Sequence, residues 1–80
     1  MDLVEIKFYA AAREAAGVPH VHVQPDSIEE IIASLIKSSG ELARVLPQCS
    51  YLIDEVAVRD RSIQVKGGSR IDVLPQFAGG

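Results

Sequence analysis

One long amphipathic helix is written into this chain, and it limits what the remaining residues can build. Ser27 can cap a helix, and Glu30, three residues on, completes a Ser-x-x-Glu capping box. Behind it, Ile28, Ile31, Ile32, Leu35 and Ile36 recur at helical spacing and form a single apolar stripe, read as core. Gly40, after Ser38-Ser39, supplies the stop. A helix with one apolar face must bury it against another layer, and the rest of the chain offers strands.

Residues 3–9 alternate, with Val4, Ile6 and Phe8 on one face and Glu5, Lys7 and Tyr9 on the other. Residues 10–16 are alanine-rich and end at Gly17, which predicts a short helical turn. Residues 18–23 predict a second strand, Val21 and Val23 inward, His20 and His22 outward. Residues 41–46 predict a second short helical piece ended by Pro47. Residues 51–58 predict two short strands around Asp54-Glu55, where Asp suits a tight turn and Glu55 stands where glycine would be usual. Lys66-Gly67-Gly68-Ser69 predicts a turn. In the last strand, 70–74, Ile71 and Val73 face inward, Asp72 and Leu74 outward, and Pro75 is expected to end the pairing.

A hairpin, one long helix, then further strands predict an α+β fold in which the helix covers one face of a single sheet. The first and last strands are the most apolar and are expected to be central, parallel neighbours. That arrangement is the β-grasp, or ubiquitin-like, fold. Eighty residues allow one domain. It is expected over residues 1–75, with 76–80 as a flexible Gly-Gly tail.

No apolar run approaches the roughly 20 residues of a membrane span, and the N-terminus has no basic-then-apolar leader, so a cytoplasmic protein without membrane contact is expected. Eight Lys and Arg oppose eleven Asp and Glu, a net charge of −3. The nearest approach to a basic cluster is Arg59 and Arg61, with Asp60 between them. This argues against electrostatic nucleic-acid binding and would suit a basic protein partner. Cys49 is the single cysteine, which excludes an intramolecular disulfide and a ferredoxin-type iron–sulfur centre.

The sequence closes on Gly79-Gly80. Without Cβ atoms, such an end can pass through a channel too narrow for other residues, and it presents a sterically bare carboxylate. The residues before it, Val73-Leu74-Pro75-Gln76-Phe77-Ala78, predict a strand end followed by an extended arm. A carrier that holds out a carboxylate for another protein to work on is the expectation.

The opening Ile6-Lys7-Phe8-Tyr9-Ala10, with Arg13-Glu14 and Gly17, resembles the start of the small sulfur-carrier subunit of molybdopterin synthase, a MoaD-like member of the MoaD/ThiS ubiquitin-like family. The closing aliphatic strand, Pro75 and Gly79-Gly80 are similar to that family's C-terminal signature. The similarity runs along essentially the whole chain, its specific parts at the two ends. Two departures stand out: Asp54-Glu55 where the family often has Asn-Gly, and Pro75-Gln76 where it has two prolines.

The resemblance implies that an E1-like adenylating enzyme uses ATP to form an acyl-adenylate on Gly80, which sulfur then converts to a thiocarboxylate. Gly79 lets the tail thread into the large, catalytic synthase subunit, which uses the sulfur to build the dithiolene of molybdopterin. The chain itself is expected to be non-catalytic and to bind no cofactor or metal. Leu74 and Phe77, large and apolar near the tail, are the expected partner interface. Tyr9 suits either an interface or closure over a small core. Arg13 matches the family's Arg-Glu element, and is equally a solvated helical arginine. His20 and His22 lack a further ligand nearby and are taken as an exposed strand pair, and Cys49 as a buried apolar residue. Two other destinations share fold and ending: sulfur carriage for thiamine, cysteine or tRNA thiolation, and ubiquitin-like protein modification. The Phe-Tyr-Ala start followed by Arg-Glu favours molybdopterin.

Overall fold

The computed structural model describes residues 2–76. Strand β1 (Val4–Phe8) leads into helix α1 (Ala10–Ala16), which Gly17 ends in a left-handed cap, φ 78°. Strand β2 (His20–Val23) returns antiparallel to β1. Helix α2 (Ile28–Ser38) follows, then the single turn α3 (Leu42–Val45), a 3-10 turn (Leu46–Gln48), β3 (Cys49–Ile53), β4 (Val56–Val58) and β5 (Arg70–Pro75). The sheet order is β2-β1-β5-β3-β4, with β1 and β5 parallel and adjacent inside it. This is the expected β-grasp, a mixed sheet with one main helix on one face.

The core is built from Val4, Ile6 and Phe8 of β1, Ile71 and Val73 of β5, and Ile28, Ile31 and Leu35 of α2. Ile32 and Ile36, expected as core, are only half-buried at the margin of the cluster. The helix presses the middle of its stripe against the sheet, and the stripe's flanks reach its edge. Ser27 caps α2 as expected, its Oγ accepting from the Glu30 N–H at 3.3 Å. The other half of the capping box is taken by Asp26, whose carboxylate accepts from the Ser27 N–H at 2.8 Å.

Val65 is fully buried, although it lies in a polar stretch whose spacing announces no strand. The segment after β4 crosses the start of α2: the carbonyls of Ile63 and Arg61 accept from the N–H groups of Ile28 and Glu29 at 3.0 and 2.9 Å. These N–H groups have no partner within the helix. The segment supplies one, and Val65 is carried into the core with it. Gly67 is obligatory at the following turn, since a Cβ there would collide with the Asp2 carbonyl oxygen.

Candidate functional site

Strand β5 is paired on both sides, in register with β1 from Glu5↔Arg70 to Phe8↔Val73 and with β3 from Ile53↔Ile71 to Cys49↔Pro75. Pro75 does not end the pairing, contrary to expectation. Along a strand, successive N–H groups point to alternate sides. Val73 faces β1, where its carbonyl accepts from the Tyr9 N–H at 3.2 Å, and Gln76 faces β3, its N–H donating to the Gln48 carbonyl at 3.1 Å. The donor that Pro75 lacks would therefore point to the side where β1 has already stopped. Gln76 is also held by its side chain, Nε2 donating to Ser50 Oγ at 2.8 Å. The root of the tail is thus fixed to the body at Gln76. Phe77, Gly79 and Gly80 lie outside the described residues.

On the sheet face away from α2, the root adjoins Leu74, half-buried and in register with Ser50. Asp72, expected outward, lies on that face but is only 4% exposed. Long side chains fold over it. Arg70 places Nε 3.1 Å from Oδ1 and donates from Nη2 to Oδ2 at 3.3 Å, and the Tyr9 hydroxyl donates to Oδ1 at 3.4 Å. The adjacent carboxylate raises the Arg70 pKa above its ordinary value. Tyr9 therefore helps to close over Asp72, with Lys7 Nζ 5.4 Å from its ring centre, and remains half-buried beside the end of β5.

Arg13 is not part of this group. It is exposed on α1 and lines a separate surface hollow with Gly17, Val18 and Pro19. His20 and His22 are exposed on edge strand β2, rings edge-to-face at 5.7 Å. Among the described residues, no three His, Cys, Asp or Glu are placed to hold a metal. Cys49 is buried, its thiol donating to the Val45 carbonyl at 3.2 Å, and burial raises its pKa, which keeps the sulfur protonated and weakly nucleophilic. No helix among the described residues is long and apolar enough to cross a membrane.

One feature of the root was not legible in the sequence. Ser50 and Tyr51 of β3, Val58 of β4, and Gln76 line a groove of about 480 Å³ that Arg59 and Arg61 also border. The two arginines stand out in the sequence as neighbours, but nothing local in it places them beside Gln76.

A family model described as the ThiS family matches residues 6–80. Three solved structures share the fold. The solution structure of small archaeal modifier protein 1 from Methanosarcina acetivorans superposes with a TM-score of 0.86 at 24% identity, covering 100% of this chain and 98% of that one. The putative molybdopterin converting factor, subunit 1, from Pyrococcus furiosus gives 0.84 at 16% identity, covering 96% and 100%. A chain in the complex of subunits 1 and 2 of the molybdopterin-converting factor from Helicobacter pylori 26695 gives 0.74 at 18% identity, covering 98% and 99%. No curated protein matches the chain in sequence.

Proposed function

Because the chain belongs to the ThiS family, we propose that it is a sulfur carrier whose terminal Gly80 is adenylated, converted to a thiocarboxylate, and used to donate sulfur in molybdopterin synthesis. The observation that carries the reading is the reach of the family match, which runs through Gly79 and Gly80 to residue 80. A terminal carboxylate has a pKa of roughly 3.5, is ionised at neutral pH, and is a poor electrophile. Attack of its oxygen on the α-phosphorus of ATP releases pyrophosphate and gives an acyl-adenylate. Hydrosulfide then displaces AMP and leaves the thiocarboxylate; where the sulfur arrives as a persulfide, the acyl disulfide formed is cleaved by a second thiol, which leaves as a disulfide with the donor's sulfur. The chain contributes positioning: β5 holds the root of the tail, and the adenylating enzyme and the large synthase subunit contribute catalysis. The fold is shared with subunit 1 of the molybdopterin-converting factor from Pyrococcus furiosus and equally with small archaeal modifier protein 1, so what favours this destination is the opening Phe8-Tyr9-Ala10 followed by Arg13-Glu14.

The test is to incubate the protein with ATP, an adenylating enzyme and a sulfur donor, and to measure the mass of the intact chain and of its C-terminal peptide. Exchange of one oxygen for sulfur on Gly80 is expected, and transfer to precursor in the presence of a large subunit should yield molybdopterin. Sulfur on Cys49 would overturn the mechanism. Gly80 joined to a lysine side chain would redirect it to protein modification. Deleting Gly80, or adding one residue after it, is expected to abolish sulfur transfer with an unchanged melt, because misplacing a reacting atom by about 1 Å can cost about 100-fold in rate.

A further inference from the structure

We propose that the groove at the root of the tail is a docking surface for an acidic segment of the protein that takes the tail. The inference rests on the carrier reading only for which protein bears that segment. The chain as a whole is acidic, with a net charge of −3, yet Arg59 and Arg61 border one groove of about 480 Å³ together with Gln76, the last of the described residues. Among the described residues neither arginine makes a salt bridge. The acid between them is engaged elsewhere, since Asp60 Oδ1 accepts from the Ser62 hydroxyl at 2.6 Å and from the Ser62 N–H at 3.0 Å, which lowers its pKa. The Asp60 carboxylate stays ionised but is turned to Ser62, so residues 59–61 carry a net charge of +1 with neither arginine ion-paired to it.

One of the two cations, Arg61, is also held in place. The Arg61 carbonyl accepts from the Glu29 N–H at 2.9 Å, tying the loop to the start of α2. The Arg61 guanidinium sits 5.2 Å from the centre of the Tyr51 ring, an arrangement that favours a cation over a π face. Side chains ordered before association lose less entropy on binding. Ser50 and Gln76 add polar contacts, while Ala57 and Val58 give the groove an apolar wall. An extended segment carrying glutamate or aspartate fits this combination. A basic partner, the kind that net charge alone would suggest, does not.

The test is a titration of the full chain, followed by amide and arginine side-chain resonances, with a short glutamate-rich peptide and with its glutamine counterpart. The glutamate peptide is expected to shift Ser50, Val58, Arg59, Arg61 and Gln76, the glutamine peptide to shift none. The effect should vanish near 1 M salt, where the screening length falls to about 3 Å. Arg59→Ala or Arg61→Ala should each weaken binding about 2- to 5-fold, and both together about 10-fold. Should Arg61→Ala disturb the fold through Tyr51, Arg59→Ala carries the test alone.

Three results overturn the proposal: shifts centred elsewhere or insensitive to the arginines, equal shifts with inorganic phosphate, or equal shifts on removing residues 77–80 without peptide. The last would mean that the groove holds the chain's own carboxylate. Loading of Gly80 is measured separately, so the two readings fail separately. Docking without sulfur on Gly80 sinks the carrier, and sulfur without docking sinks the groove.

Discussion

Replacing Glu55 by glycine should make the protein more stable, although it strips a side chain from a strand connection. Asp54 and Glu55 form the two-residue loop between β3 and β4, closed by the pair Ile53↔Val56. Their φ values are 47° and 71°, both left-handed, as a type I′ turn requires and as glycine normally satisfies. For a residue with a Cβ, that conformation costs roughly 1–2 kcal/mol. Glu55 recovers little of it, being exposed and making no salt bridge among the described residues. Glycine adds about 0.5–1 kcal/mol of unfolded-state entropy, which leaves a net gain of about 0.5–1 kcal/mol. In a domain of this size, each kcal/mol moves Tm by about 4–8 °C, so a rise of about 2–8 °C is expected.

Asp54→Gly is the control, because the same turn gives it a different job. Asp54 Oδ1 accepts from the Arg70 N–H at 3.0 Å, and its own N–H donates to the Arg70 carbonyl at 2.9 Å, binding the turn to the start of β5. Loss of the side-chain bond costs about 0.5–1.5 kcal/mol, which offsets any conformational relief. Urea melts followed by circular dichroism separate the two, with a higher midpoint at unchanged slope expected for Glu55→Gly alone. A midpoint for Glu55→Gly at or below that of the parent would refute the claim that this turn is strained.

Three further outcomes can be measured on the same melts. Ile31→Ala should cost about 2–5 kcal/mol, while Ile32→Ala, half-buried, should cost less than half as much. Gly67→Ala should cost about 1–3 kcal/mol by pushing its turn away from Asp2. Burial raises the Tyr51 pKa to about 12, against the charge of Arg61, and the neutral hydroxyl donates to the Leu46 carbonyl at 2.8 Å. A raised folded pKa means stability that is complete below the ordinary tyrosine pKa of about 10 and lost as pH climbs to about 12. The loss is at most about 3 kcal/mol, and Tyr51→Phe should remove it. The raised thiol pKa of Cys49 adds a loss of the same sign that remains in the variant.

The elements legible in the sequence are those whose signal is local. Helix α2 announces itself through a cap and a stripe, and β1 through alternation, because each needs only its own residues to bury one face. Contacts between distant segments escaped. Val65 is one valine in a polar run, and its burial depends on backbone carbonyls reaching the start of α2. Alternation assigned Asp72 to the outer face correctly but could not show that Arg70 and Tyr9 cover it. Arg59 and Arg61 were visible as charges, and their place beside Gln76 follows from how β4 and β5 flank β3.

Pairing that runs through Pro75 shortens the reach available to the proposed mechanism. Proline reads as the end of a strand, which puts Gln76 at the head of the expected tail. Because the missing donor faces the side that β1 has vacated, the ladder runs on, and Gln76 is fixed by two hydrogen bonds to β3 and the residue before it. In that mechanism it is residues 77–80 that reach the partner, and at about 3.3–3.6 Å per residue four residues span at most about 14 Å. In the proposed mechanism the reacting carbon of Gly80 is therefore received close beneath the surface on which the body docks. A shift of one residue moves it by about 3.5 Å, well beyond the roughly 1 Å that positioning tolerates. In that mechanism contacts around Gln76, with the proposed docking at the arginine groove, set where that carbon arrives. On this argument, loosening Gln76 through Ser50→Ala should slow sulfur transfer without changing the chemistry at Gly80.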